Sequence, residues 1–244
     1  VVAAYLTQAV NMHVSRRLAG EAAAAGIAPA APVVDLRTSA WFNPGLESRF
    51  FFVPGVIAMI VMIITLMLSS MAIAREKETG TIEQVMVTPL RKWEFILGKT
   101  LPFGLIGLAD IIVVTAVAAA WFGIPVRGSV LLLLAGGCVY IISTLGAGVL
   151  ISTISRTQQQ AMLSVFFFIM PAVLLSGFAF PVENMPGFLR VATLANPVRH
   201  MLVIVRGIFL KGLGFDVLWP QFAALAAIGA VLGSIAILRF RKSL

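Results

Sequence analysis

The sequence has 244 residues, of which 60% are apolar and only 11% are charged. Soluble domains carry about 25% charged residues, so the composition excludes a soluble globular domain. One cysteine, no glycine period and long continuous apolar runs also exclude a disulfide framework, a collagen and a transmembrane barrel. The class of protein that is not excluded is a polytopic all-α membrane protein.

Residues 1–50 precede the first long apolar run and are interpreted as the remnant of an external, periplasmic domain. Leu6, Val10 and Val14 recur at helical spacing, whereas 33–40 has the pattern of a short strand. An N-terminus outside the membrane needs an earlier helix to carry it across. We therefore expect the full-length protein to contain one more membrane helix and more of the external domain.

Residues 51–244 are predicted to form the membrane domain. A membrane span needs about 20 mostly apolar residues to cross about 30 Å of hydrocarbon. Five runs meet this requirement, and they cover residues 53–74, 97–122, 130–154, 161–180 and 217–238.

The positions of lysine and arginine predict the orientation, because cytoplasmic loops are enriched in both. Five basic residues lie between the first two runs or at the start of the second, and three lie in the C-terminal tail. Both segments are therefore placed in the cytoplasm. Segment 181–216 is then external, although its four basic residues disagree with the rule.

The loop 75–96 contains the pattern of a short amphipathic helix. Ile82, Val85 and Met86 fall on one helical face, and Pro89 ends the pattern. Nothing in the loop itself buries this face, which favours a docking element for a cytosolic partner over a solvated connector. The candidate contact residues are Glu78, Gly80, Thr81, Ile82, Glu83, Gln84, Met86, Thr88 and Pro89.

Asp110 lies near the middle of the second run. An ionisable group at that depth is costly unless it is paired or faces water. Two interpretations stay open: Asp110 lines a translocation path, or it is protonated and bonded to a Ser or Thr of a neighbouring helix.

Small and polar residues recur every four positions in the third run, which lets another helix approach closely. They are Gly136, Tyr140, Thr144, Gly148 and Ser152. Gly229 and Gly233 form a similar pair in the last run. Both patterns are interpreted as helix packing and not as substrate contacts.

The segment 181–216 is predicted to form an external re-entrant hairpin, because its two apolar stretches are each too short to cross. The residues that mark its turns and entry are Ser176, Gly177, Pro181, Pro186, Asn196 and Pro197.

Motifs for catalysis are incomplete in this sequence. Gly98-Lys99-Thr100 imitates the end of a phosphate-binding loop, but Trp93 stands where the pattern needs glycine. Ser176 lacks the surroundings of a hydrolase nucleophile, and no metal-ligand cluster is present. The sequence therefore predicts no catalytic residue, no metal site and no nucleotide site of its own.

Three groups of residues carry a resemblance to a known family. They are Trp41-Phe42-Asn43-Pro44 with Arg49 and Phe52-Val53-Pro54-Gly55; the run from Arg75 to Gln84 with Thr88-Pro89, Glu94, Gly98-Lys99 and Pro102; and Ser176-Gly177, Phe180-Pro181, Met185-Pro186 and Asn196-Pro197. From about residue 33 onward, the chain resembles the permease subunit of a type-2 ABC exporter of the bacterial drug-efflux branch.

The resemblance implies six membrane helices in the full-length subunit and a pore made by two permease subunits, identical or sister chains. It also implies two separate ATPase subunits in the cytoplasm, which bind ATP and Mg²⁺ and push on the loop around residues 78–88. The substrate would be hydrophobic or amphipathic, drug-like or lipid-like, and would move outward. No nucleic-acid partner is expected, because most basic residues serve to orient the chain.

Two alternatives from other classes remain. An ion-gradient-driven transporter would need several ionisable groups inside the membrane, and only Asp110 is evident. A non-transporting membrane assembly subunit would use the loop 75–96 only for attachment.

Overall fold

The computed structural model of the chain describes residues 12–14, 16–17, 48–81 and 91–240. The chain divides into two compact units, Val1–Leu46 and Glu47–Leu244. In the first unit, the described residues are helical. The strand predicted for 33–40 lies outside the described residues.

The described part of the second unit is all helical. Its α-helices are α1 (Ser48–Thr79), α2 (Lys92–Ala120), α3 (Val130–Ile154), α4 (Gln158–Leu174), α5 (Gly187–Ala192), α6 (Pro197–Arg206) and α7 (Phe215–Phe240). The 3₁₀ turns Val182–Asn184 and Thr193–Ala195 flank α5, and a π-helical turn, Gly207–Lys211, extends α6.

Among the described residues, four helices are long and apolar enough to cross a membrane, namely α1, α2, α3 and α7. The pair Gly187–Ala195 and Pro197–Lys211 is bent by 84° and would make a fifth span if it counts as one. The prediction of an all-α polytopic membrane protein is confirmed.

The fourth predicted span, 161–180, is shorter in the structure. Helix α4 has 17 residues, which reach only about 26 Å. It ends at Leu174 because the chain turns at Gly177, which has a φ of 84°, and the Ser176 hydroxyl accepts a hydrogen bond from the Phe178 N–H at 3.0 Å. A left-handed backbone angle is available to glycine at little cost.

Helices α1 and α3 pack closely along their length. The hydroxyl of Tyr140, which is fully buried, donates to the carbonyl oxygen of Ala58 at 3.0 Å. One turn further, the Oγ1 atoms of Thr65 and Thr144 lie 2.8 Å apart. At Gly148 an added Cβ would lie 2.9 Å from Ser69 Cβ. Four members of the small-residue stripe of α3, Tyr140, Thr144, Gly148 and Ser152, therefore face α1. Gly136 instead faces Ile204 on α6 and Phe222 on α7.

Helix α7 packs on another side of α3, again through small residues. Ser143 Oγ donates to the carbonyl oxygen of Leu225 at 2.7 Å. A Cβ added at Gly229 would lie 3.0 Å from Ser143 Oγ, and one added at Gly146 would lie 3.2 Å from the backbone nitrogen of Gly233. Close backbone approach of this kind is the usual use of small residues in membrane helices.

The outward surfaces of the bundle are apolar. Leu101 on α2 is 65% exposed and Phe167 on α4 is 73% exposed. These surfaces suit hydrocarbon or another apolar protein face and not water.

Candidate functional site

The end of α1 leads into the segment that the sequence singles out as a docking element. Helix α1 has 32 residues, about 48 Å, so its last turn extends beyond the apolar run 53–74 and beyond a 30 Å hydrocarbon layer. Three candidate residues are described there: Glu78, Gly80 and Thr81. The other six, Ile82, Glu83, Gln84, Met86, Thr88 and Pro89, lie outside the described residues.

Gly80 ends α1. Its φ is 73°, and its N–H donates to the carbonyl oxygen of Lys77 at 3.3 Å. A Cβ at this position would meet nothing within 4 Å. The backbone angle, and not crowding, is therefore what favours glycine here.

An ion pair holds the two ends of the segment together. Lys99, on the second turn of α2, pairs with Glu76 on the last turns of α1. The hydroxyl of Thr81 donates to the same carboxylate. The hydrogen bond from Lys99, and after it the one from Thr81, holds the pKa of Glu76 below its ordinary value, so this carboxylate stays charged.

Lys77 ties the end of α1 to the end of α3. Its Nζ donates to the carbonyl oxygens of Thr153 at 2.5 Å and Ser155 at 3.4 Å. The last carbonyls of a helix have no partner within that helix, and a cation there is stabilising. One turn earlier, Ser152 Oγ accepts from the Ala74 N–H at 2.9 Å.

Glu78 ties the end of α1 to the start of α4. Its Oε2 accepts from the Gln158 backbone N–H at 3.0 Å and from the Gln158 side-chain amide at 3.1 Å. The backbone hydrogen bond, followed by the side-chain one, holds the pKa of Glu78 below its ordinary value. An anion at a helix N-terminus is also favoured by the helix dipole.

We call Glu76, Lys77, Glu78 and Lys99 the polar anchor. These four residues connect the end of α1 with α2, α3 and α4, so that both ends of the predicted docking segment and the 154–158 turn lie at one end of the bundle. Glu76, Lys77 and Lys99 were not predicted as site residues, because in the sequence they serve only as parts of motifs or as topology charges. The contacts of Lys77 span 76 positions of sequence, which periodicity along the chain cannot reveal.

Asp110 lies on α2 and is partly buried. Among the described residues, its Oδ2 is buried and has no hydrogen-bond partner. The bond to a Ser or Thr that one of the two interpretations needs is therefore absent at this oxygen. Thr115, on the same helix, likewise has a buried hydroxyl without a described partner.

The residues of the predicted re-entrant segment shape the bend between α5 and α6. Asn196 Oδ1 accepts from the Val198 N–H at 3.1 Å and so caps α6, while its Nδ2 donates to the carbonyl oxygen of Ala172 on α4 at 2.7 Å. Pro197 occupies the first turn of α6, where a missing N–H costs nothing. Pro186 directly precedes α5, and Pro181 precedes the first 3₁₀ turn.

Ser176 and His200 do not form a nucleophile and base pair. Ser176 Oγ donates to the carbonyl oxygen of Val173 at 2.7 Å. The ring nitrogens of His200 lie 2.6 Å from Gln221 Oε1 and 2.9 Å from the carbonyl oxygen of Leu194. Within the described ranges, no three His, Cys, Asp or Glu side chains come together where they could hold a metal ion.

Comparison with known proteins identifies the family of this chain. The sequence profile of the ABC-2 family transporter protein matches residues 2–238. The chain is 38% identical over 242 residues to the "Probable multidrug ABC transporter permease YbhR" of Escherichia coli (strain K12), covering 99% of this chain and 64% of that protein. It is 34% identical over 220 residues to the "Inner membrane transport permease YhhJ" of the same organism, covering 87% and 57%.

A more distant relative is the "ABC transporter G family member 20" of Dictyostelium discoideum, which is 24% identical over 196 residues, or 78% of this chain and 26% of that protein. The chain thus spans between half and two thirds of the two bacterial relatives. The profile match over nearly all of the sequence is sufficient for one conclusion: the chain belongs to the ABC-2 family of transporter proteins.

Proposed function

We propose that this chain is the membrane-spanning part of an ABC exporter permease, powered by separate ATPase subunits that contact the segment 75–96. The observation that supports the proposal most directly is the polar anchor. It joins both ends of this segment to α2, α3 and α4 through hydrogen bonds and an ion pair. A force on the segment would therefore reach four helices at once.

The mechanism follows from this connection. ATP and Mg²⁺, bound by the partner ATPases, supply the driving reaction. The helices of this chain transmit the resulting motion across the membrane. When the ATPases close, the segment moves with them, and the polar anchor prevents α1 from moving without α3 and the start of α4. Because α1 and α3 are hydrogen-bonded along their length, and α3 is hydrogen-bonded to α7 through Ser143 and Leu225, these three helices would move together.

The proposed substrate is hydrophobic or amphipathic and moves outward across the bacterial inner membrane. The names of two relatives, "multidrug" for one and "inner membrane transport permease" for another, support this choice, as do the exposed aromatic side chains of α4. We place the segment 75–96 and the C-terminus in the cytoplasm, and we expect a second permease subunit, identical or a sister chain, to complete the pore.

The docking role of the segment can be tested with the variant Glu83→Arg with Met86→Asp in the full-length complex. We expect it to lose substrate-stimulated ATP hydrolysis and export, because it reverses a charge and places a carboxylate on the face that the sequence predicts to be apolar and to dock. The measurement is ATP hydrolysis and transport in proteoliposomes that contain the permease and its ATPase. Asp216→Arg, the same charge reversal at an exposed site on the first turn of α7, is the control. Normal coupling in the Glu83 and Met86 variant would overturn the proposal.

The path role of Asp110 gives a second test. We expect Asp110→Asn to lower export without lowering the unfolding temperature, since Oδ2 has no described hydrogen-bond partner to lose. Thr115→Val removes another buried, unpartnered polar group from the same helix and should leave export unchanged. Export by Asp110→Asn that equals wild type across substrates would return Asp110 to a packing role.

A further inference from the structure

A cavity of about 300 Å³ lies at the end of the bundle opposite the polar anchor, within the usual range of about 300–1,000 Å³ for ligand sites. Its lining includes Phe51, Gly177, Glu183, Arg199 and Arg206. Phe51 and Lys77 are 26 positions apart on α1, which corresponds to about 39 Å. The cavity is therefore at the level of lipid headgroups on the far side of the membrane from the anchor.

Arg206 is the central feature of this cavity. Its guanidinium carbon lies 3.9 Å from the centre of the Phe51 ring, and its Nη1 donates to the carbonyl oxygen of Gly177 at 3.3 Å. Its Nε and Nη2 are buried and have no hydrogen-bond partner among the described residues. Buried donors without a partner are rare in native proteins, so the guanidinium of Arg206 has hydrogen-bonding capacity that the described residues do not use.

The charge of the cavity favours an anion. Arg199 lines it together with Arg206, while Glu183 contributes one carboxylate. Arg199 Nη1 donates to the carbonyl oxygen of Arg190 at 3.3 Å and also bonds to Thr193. Among the described residues, neither arginine forms an ion pair with Glu183, and the ion pair found there joins Glu76 and Lys99. Two guanidinium groups against one carboxylate leave a net positive site.

An apolar groove of about 520 Å³ adjoins this cavity and shares Pro181 with it. Leu174 at the end of α4 and Leu189 on α5 form part of its walls. Phe180, which also lines the groove, is 62% exposed, and Phe188 on α5 is 75% exposed. A cationic cavity beside an apolar groove is complementary to a molecule with an anionic head and a hydrocarbon tail.

We propose that the Arg206 cavity binds the phosphate group of a membrane phospholipid, with an acyl chain of the same lipid in the adjoining groove. Arg199 and Arg206 supply the positive charge, and the paired N–H groups of a guanidinium match two oxygens of a phosphate. The inference depends on membrane embedding and not on the proposed coupling to an ATPase.

The test uses native mass spectrometry of the purified full-length protein without ATPase. The probes are phosphatidylglycerol, a diacylglycerol with the same acyl chains, and inorganic phosphate. We expect phosphatidylglycerol to bind and the other two to bind at least about tenfold more weakly, since neither offers both the phosphate and the tail. Equal binding of diacylglycerol would overturn the phosphate assignment, and equal binding of inorganic phosphate would overturn the lipid assignment.

Substitutions test which side chains of the cavity bind the phosphate. Arg206→Gln should weaken phosphatidylglycerol about tenfold, and Arg206→Lys should weaken it less, because lysine keeps the charge but loses the paired donors. Glu183→Gln should tighten binding by removing the opposing carboxylate. Arg127→Gln is the matched control, since Arg127 is an arginine outside this cavity, bonded to the Leu210 carbonyl oxygen at 3.1 Å.

Unfolding temperatures verify that each variant is folded. If Arg206→Gln does not fold, the phosphatidylglycerol affinity of Glu183→Gln tests the proposal instead. Unchanged or weaker binding in Glu183→Gln contradicts the proposal, as does unchanged binding in a folded Arg206→Gln. Because no ATPase is present, either failure leaves the coupling test with Glu83 and Met86 unaffected.

Discussion

Substrate-stimulated ATP hydrolysis by the full-length complex should fall at least about tenfold when Glu76→Lys is introduced, and adding Lys99→Glu to the same chain should restore it. The single change places two like charges where an ion pair now closes the docking segment. The double change returns an opposite pair in the reverse orientation. The measurement is ATP hydrolysis and transport in proteoliposomes, with each variant at equal ATPase content.

Lys99→Glu alone should lower coupling as Glu76→Lys does, and the unfolding temperature should change little in both single variants and in the double variant. The side chains of Glu76 and Lys99 keep exposed fractions of 19% and 35%, and pairs of this kind contribute about 0–1 kcal/mol to folding. A loss of coupling with normal unfolding would therefore reflect the geometry of the segment and not damage to the fold. If the two single reversals work normally, or if the double reversal is as inactive as either, the ion pair has no role in coupling.

Gly148→Ala should destabilise the bundle by about 1–3 kcal/mol. The added methyl group would lie 3.1 Å from the carbonyl oxygen of Leu66 and 2.9 Å from Ser69 Cβ. It must push α1 away from α3 and thereby stretch the hydrogen bonds of Tyr140 and Ser152 to α1. Thermal unfolding and the monodisperse fraction of the detergent-solubilised protein report the loss.

Gly233→Ala is the matched control for Gly148→Ala. Both are glycines within membrane helices, but a Cβ at Gly233 meets nothing within 4 Å, so we expect unchanged or slightly raised stability from the better helix propensity of alanine. Ser69→Ala in the Gly148→Ala background should recover part of the loss, because it removes the nearest obstructing hydroxyl. Equal stability of Gly148→Ala and wild type would show that α1 and α3 are not so closely packed.

Apolar composition and the spacing of small residues are short-range properties, so both could be read from the sequence alone. The runs 53–74, 130–154 and 217–238 lie within α1, α3 and α7, because about 20 consecutive apolar residues can satisfy their backbone in a bilayer only as a helix. The four-residue period of α3 likewise predicted a packed helix face. It did not identify α1 as the partner.

Everything that depends on distant residues meeting was decided by tertiary structure. Lys77 reaches Thr153, and Lys99 reaches Glu76, only because the ends of α1 and α3 and the start of α2 lie at the same end of the bundle. Arg206 counted in the sequence merely as a charge against the expected orientation, whereas in the fold it lines a cavity beside Phe51 and Gly177. Helical periodicity describes which residues share a face of one helix, and the neighbour of that face is chosen by packing and hydrogen bonding between helices.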